Sequence, residues 1–220
     1  MRAFFAGLAI VALVVGCTNQ TLTPIDTATP TSQARQDEQT TDRETPAESF
    51  GVGDPAPAFE GLEGVDDKRH SLKDYADAKA VVIAFICNHC PVAVAYEDRL
   101  IALQKDYADK GVQLVAINVN NMEEDKLPAM KERAEEKGFQ FAYLYDPSQN
   151  VGRNFGAAVT PHVFVLDAQR RLAYVGPVDD NQDEAKVTEQ YVRDAVDSVL
   201  GGKAPEATDV KPFGCSIKYE

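Results

Sequence analysis

The segment Ala80–Ile86 (AVVIAFI) is an unbroken apolar run, and it leads directly into Cys87-Asn88-His89-Cys90-Pro91. A short run with no polar alternation, rich in β-branched residues, predicts a strand buried on both faces, as at the centre of a parallel sheet covered by helices. The residues after it change period: Val92, Tyr96, Leu100, Leu103 and Tyr107 recur on one face of a helix that ends near Gly111. The chain must therefore bury that strand, cover it with that helix and leave two cysteines at their junction.

The following residues repeat the alternation. Val112–Val119 predicts a second strand, and Leu127–Lys137 a second helix, with Pro128 in its first turn and Gly138 at its end. Phe139–Tyr145 alternates aromatic with small or polar residues, predicting an edge or half-buried strand. Asp146-Pro147-Ser148 opens a short helix to Phe155. Thr160-Pro161 precedes an apolar strand, His162–Leu166, which turns at 167–170 into a hairpin partner, Arg171–Val175. Asp179–Glu184 reads as a solvated acidic loop. Its Asp179, Asn181 and Asp183 have the spacing of a calcium loop, but positions six and twelve, Glu184 and Gln190, break the motif. A last helix, Val187–Leu200, aligns Val187, Tyr191, Ala195 and Val199 before Gly201-Gly202. Ahead of all this, an extended entry from Phe50 and a short hairpin turning at Asp66-Asp67 complete an α/β plan with a central mixed sheet flanked by helices.

The first 49 residues belong to a different class. Ala3–Val15 is apolar, of signal-peptide length and too short to span a bilayer. It ends in Val14-Val15-Gly16-Cys17, which resembles the lipobox of bacterial lipoproteins. That resemblance implies a signal peptide over residues 1–16, lipidation at Cys17 and a membrane-anchored, exported product; Thr18 in place of aspartate points to the outer membrane in an organism that has one. An ordinary cleaved signal with Cys17 incidental would export the chain equally. Residues 17–49, rich in Thr, Pro, Gln, Asp and Glu, cannot bury enough surface to fold and read as a disordered tether with a reach on the order of 30 Å. A folded domain over 50–204 and a tail over 205–220 carrying Cys215 follow. With 22 Lys and Arg against 35 Asp and Glu, a net charge of −13, no basic stripe is available for nucleic acid.

In an exported protein disulfides persist, so the four cysteines need assignment. With Cys17 committed to lipid, Cys87 and Cys90 are the expected redox pair and Cys215 is left over. Cys87, at a strand's carboxyl end and a helix's start, lies where ligand sites of α/β sheets gather. Unpartnered first-turn amides and the helix dipole should lower its pKa. Cys90 would be the more buried, resolving sulfur. His89 between them would stabilise the Cys87 thiolate and make the disulfide more oxidising, or would simply be an exposed polar residue.

The chain resembles the thioredoxin superfamily, and within it the exported redoxin and peroxiredoxin-like branch. The resemblance rests on the opening Val52–Phe59, on Phe85–Pro91 with Tyr96–Leu100, on an extra strand-helix segment before Thr160-Pro161, and on Phe213–Lys218, and it covers 50–220. It implies a thioredoxin-like fold and a thiol-disulfide oxidoreductase in which a cis Pro161, with Thr160, holds substrate backbone. Its implied partners are protein dithiols or disulfides, or a partner reductase. Neither a cofactor nor a resident metal is expected. Three departures stand out. Ile86 replaces the usual Trp, and Val81 stands where a buried acid would accept the proton of Cys90, so that Glu97 or a water must substitute. The Pro and Thr or Ser that precede a peroxidatic cysteine are absent. Thiol peroxidase activity is thus the weaker alternative. A copper(I) or zinc module using Cys87, Cys90 and His89 or His162 is another, although copper chaperones on this fold use a CxxxC spacing. Cys215 is open to three readings: a third redox cysteine, an intermolecular link, or a packed thiol.

Overall fold

The computed structural model describes residues 50–220. The expected signal peptide, Cys17 and the tether lie outside the described residues. Among those residues no helix is long and apolar enough to cross a membrane.

The apolar run forms β3 (Ala80–Phe85), every residue of which is buried. It pairs in parallel with β4 (Val112–Asn118) and antiparallel with β7 (His162–Leu166). With β1 (Leu62–Gly64), β2 (Arg69–His70), β5 (Ala142–Tyr145) and β8 (Leu172–Gly176), the sheet order is β2-β1-β5-β4-β3-β7-β8. A separate two-stranded sheet joins β6 (Val159–Thr160) to β9 (Cys215–Ser216).

The march β3 to β4 to β5 is carried by α1 (Pro91–Tyr107) and α2 (Leu127–Lys137), as right-handed parallel crossovers require. Side chains alternate across the sheet, so Val82, Ala84, Leu114, Ala116, Val163 and Val165 meet α1, α2 and α4 (Tyr191–Leu200) on one face. Val81, Ile83, Phe85, Val115, Ile117 and Phe164 face α3 (Asn150–Phe155) and the N-terminal entry on the other. Pro128 sits in the first turn of α2, and Gly138 ends that helix at φ +66°, its amide reaching the Ala134 and Glu135 carbonyls.

Three sequence expectations need correction. β5 is an interior strand, because the β1–β2 hairpin adds beyond it and covers its outer edge; the alternation of its residues reflects two unlike faces rather than an exposed edge. The last helix starts at Tyr191. A short 3-10 turn takes up residues 184–186, and Val192, Ala195 and Val196 form the buried stripe. Asp179 is not a solvated residue of an acidic loop: it is 2% exposed and accepts hydrogen bonds from Tyr96 Oη (2.8 Å) and Arg99 Nη1 (2.6 Å), pinning the loop after β8 to α1.

Glu97 is buried on α1, but both its oxygens are held by Arg133 of α2 at 2.9 and 2.6 Å. Its role is to fasten the two helices. Replacing Arg133 with methionine leaves a buried carboxylate with only Lys137 Nζ nearby, at 3.8 Å. The expected cost is about 3 kcal/mol, read as a lower urea midpoint, and a paired Glu97→Leu substitution should recover most of it.

Candidate active site

The loop between β3 and α1 carries the cysteines. Cys87 follows the last sheet residues of β3, whose Ile86 amide still bonds Ile117 O at 3.1 Å. Cys90 is the N-cap of α1: its sulfur lies 3.4 Å from the Ala93 amide, and Pro91, at the first helical position, gives up no needed donor.

The bonded sulfurs are not the pair expected from the spacing. Cys90 is disulfide-bonded to Cys215, 125 residues away, with Cα atoms 6.0 Å apart, and Cys87 is a free, buried thiol. The tail brings Cys215 there as β9, which pairs antiparallel with β6 so that Cys215 lies opposite Thr160. Cys215 is thus neither a free packed thiol nor an intermolecular link here: it is bonded within the chain to Cys90, a pairing that none of its three readings named. No rule of spacing could have selected it, because it depends on where a tail returns in space.

Thr160 touches all of this chemistry. Its hydroxyl is hydrogen-bonded to Cys87 Sγ at 3.2 Å, its carbonyl oxygen lies 3.3 Å from Cys90 Sγ, and its bond to Pro161 is cis. Thr160 therefore lies against both sulfurs, with Pro161 following it across the cis bond. His162 does not. Its ring is packed at a tilt against Phe164, with 4.6 Å between ring centres, and its Nδ1 accepts from the Ala158 amide at 3.3 Å. Burial pushes its pKa down to about 4, partly opposed by the charge of Asp209. The metal set of Cys87, Cys90 and His162 is thereby dismantled.

His89 does not turn its ring to the sulfur as its primary partner. Its Nδ1–H donates to Asp125 Oδ2. Asp125 is fully buried and comes from the loop between β4 and α2. Its Oδ1 accepts from the Asn88 amide at 2.7 Å, from the His89 amide at 3.4 Å and from Asn118 Nδ2 at 3.2 Å. Tyr143 Oη closes the network, donating to Asn88 Oδ1 at 2.9 Å and accepting from Asn118 Nδ2 at 3.2 Å. Asp125 thus supplies a buried carboxylate beside Cys87, whereas Glu97 is engaged by Arg133. Sequence reasoning passed over Asp125. The available signal was positional: loops after adjacent parallel strands converge at one end of a sheet, so Glu123-Glu124-Asp125 had to approach Cys87.

The Cys87 thiol is correspondingly altered, in the opposite sense to expectation. Burial, with the Asp125 charge adding to it, pushes its pKa up to about 11, against the Thr160 hydroxyl and the amides of Cys90 and His89, which favour the thiolate. The expected lowering presumed a helix starting at the sulfur. α1 begins only at Pro91, and the intervening turn places Cys87 under cover rather than on the helix axis.

Cys87, His89 and Asp125 each bring a ligand atom within 4.8 Å of the others. Among the described residues they form a group that could hold a metal, with one sulfur, one nitrogen and one oxygen donor. Asp125 already accepts from the His89 ring, so the trio is knit as a hydrogen-bonded chain from imidazole to carboxylate beside a thiol.

The comparisons agree with this geometry. The Redoxin family model matches residues 51–192. An uncharacterized conserved protein from Geobacillus kaustophilus is 39% identical, with a TM-score of 0.73, over 78% of this chain and 93% of its own. A hypothetical protein from Sinorhizobium meliloti 1021 is 37% identical, also with a TM-score of 0.73, over 79% of this chain and 97% of its own. The thioredoxin domain of a thiol-disulfide oxidoreductase from Bacteroides vulgatus shares the fold, at 21% identity and a TM-score of 0.50, over 58% of this chain and 89% of its own. No curated protein matches the chain. A buried β3 delivering Cys87 and Cys90 to Thr160-Pro161, within a mixed sheet that the Redoxin model spans almost whole, places this chain in the redoxin family, on the thioredoxin-like fold.

Proposed function

We propose that the chain is an extracytoplasmic, membrane-tethered thiol-disulfide oxidoreductase that works with three cysteines. The observation that carries the reading is the convergence of a free thiol, Cys87, and a disulfide, Cys90–Cys215, on the one residue Thr160. The Cys87 thiolate attacks Cys90 Sγ; the Cys87–Cys90 bond forms, the Cys90–Cys215 bond breaks, and Cys215 leaves as a thiolate that takes a proton from water. A partner thiolate then attacks Cys90 from the side that Cys215 has left, releasing the Cys87 thiolate. The partner's second thiol resolves the mixed disulfide, so the partner dithiol is oxidised by two electrons and the chain ends with three thiols. The proton of Cys87 passes toward His89 and Asp125, which stand beside it. Protein dithiols or disulfides are the natural partners, in keeping with family membership, with a thiol-disulfide oxidoreductase among the structural neighbours, and with the signal peptide and lipidated Cys17 read from the sequence.

Thiol peroxidase is the weaker reading, because Ala84-Phe85-Ile86 precede Cys87 where a peroxidatic cysteine has Pro and Thr or Ser before it. Peptide mapping tests the three-cysteine scheme. Cys215→Ser should trap a Cys87–Cys90 disulfide on oxidation, and the native protein should oxidise reduced ribonuclease. A Cys215→Ser protein that keeps both remaining thiols free in an oxidising glutathione buffer would count against it.

A further inference from the structure

The tail that delivers Cys215 fills a groove built to take an extended strand. Beyond the β6–β9 pairing, the Ile217 amide donates to Ala158 O at 2.9 Å, Gln149 Nε2 donates to Lys218 O at 3.0 Å, and Tyr219 Oη donates to Ala157 O at 2.6 Å. Ile217 is buried among the residues of the α3 face, and Tyr219 packs against that cluster with Arg153 over its ring. The backbone is thus read along its length, and alternate side chains enter the core. One position is stricter. A Cβ at Gly214 would lie 2.8 Å from the Thr160 carbonyl carbon and closer still to its oxygen, and the residue sits at φ +154°. Both facts require glycine next to the reacting cysteine.

We propose that this groove is the docking site of the exchange partner, and that the partner presents an extended segment of the tail's own pattern: glycine, then the reacting cysteine, with an apolar residue two places later. The inference rests on the three-cysteine reading. Once Cys87 has displaced Cys215, no covalent bond holds the tail. The partner strand then pairs with Val159–Thr160 and brings its cysteine to the position that Cys215 leaves, beside the Cys87–Cys90 bond. Specificity comes from main-chain pairing and from alternate side-chain pockets, as in other additions of a strand to an exposed edge.

The test uses the full chain carrying Cys215→Ser, oxidised to Cys87–Cys90, and three acetylated peptides: residues 211–219, the same with Gly214→Ala, and the same with Ile217→Asp. Mixed-disulfide formation is followed by mass spectrometry, with glutathione as a thiol that needs no groove. The native peptide should react about tenfold faster than either analogue, a discrimination worth about 1.4 kcal/mol, while glutathione reacts alike whichever peptide is present. Equal rates for the three peptides overturn the docking proposal and leave the exchange chemistry standing. Failure of glutathione and peptides alike overturns both. Native-chain dimers joined from Cys215 of one copy to Cys90 of another would assign the groove to a second copy and overturn it too.

Discussion

Cys87→Ser should abolish oxidation of a protein dithiol while leaving the Cys90–Cys215 disulfide in place. In the native chain the Cys90–Cys215 bond is covered by its own tail, and Cys87 is the internal thiol set against Thr160 beside it. Without that thiol, no displacement frees the tail. The remaining disulfide can be opened only by an external thiol reaching Cys90 or the half-buried Cys215. The loss should be on the order of a thousandfold in the ribonuclease oxidation rate, as for removal of a nucleophile in other covalent mechanisms. Peptide mapping separates this from misfolding: the variant should still yield the Cys90–Cys215 linked peptide. If the variant retained a rate within a few-fold of the native one, Cys87 would be no more than a packed thiol.

The second large effect concerns pH. With its pKa pushed up to about 11, Cys87 at pH 7 has a thiolate fraction of about one in ten thousand. Its alkylation by iodoacetamide should therefore climb about tenfold per pH unit from pH 7 to pH 10 and level off only near 11. Burial is the main cause and the Asp125 charge adds to it, so Asp125→Asn should move the midpoint down and raise the rate at pH 8. The groups facing the sulfur are Asp125, His89, the Thr160 hydroxyl and Tyr143, whose own pKa burial holds well above the ordinary phenol value. A native profile that flattened by pH 8 would show instead that the amides of His89 and Cys90 outweigh burial. A midpoint unmoved by Asp125→Asn would remove that carboxylate from the thiol's electrostatics.

Much of this was readable from residue order alone. The run Ala80–Ile86 specifies a buried strand because seven consecutive apolar side chains leave no face for water, and the change of period at Val92 specifies the helix that covers it. The same reasoning located Pro128 and Gly138 at the ends of α2, and Thr160-Pro161 beside the cysteines, the latter through resemblance. A strand apolar on both faces and the ends of α2 are local events, written in adjacent residues.

The site's chemistry was not local, and there the reading diverged. Only two residues separate Cys87 from Cys90, and that spacing argued for a bond between them. The tail competes for Cys90 from 125 residues away because Gly214 allows it to lie flat on Thr160, a fact of two backbones meeting in space. Burial likewise reversed the direction of the Cys87 pKa, since desolvation depends on everything packed around a sulfur and not on its neighbours in sequence. Asp125 carries no local signal in the run Glu123-Glu124-Asp125, and only the convergence of adjacent parallel loops sets it against His89. By itself the sequence determined a thioredoxin-like α/β domain with cysteines at the end of its central strand. Only the tertiary structure decided which sulfurs are bonded, which acid serves them and which groove the tail occupies, because each of these depends on contacts between segments far apart in the chain.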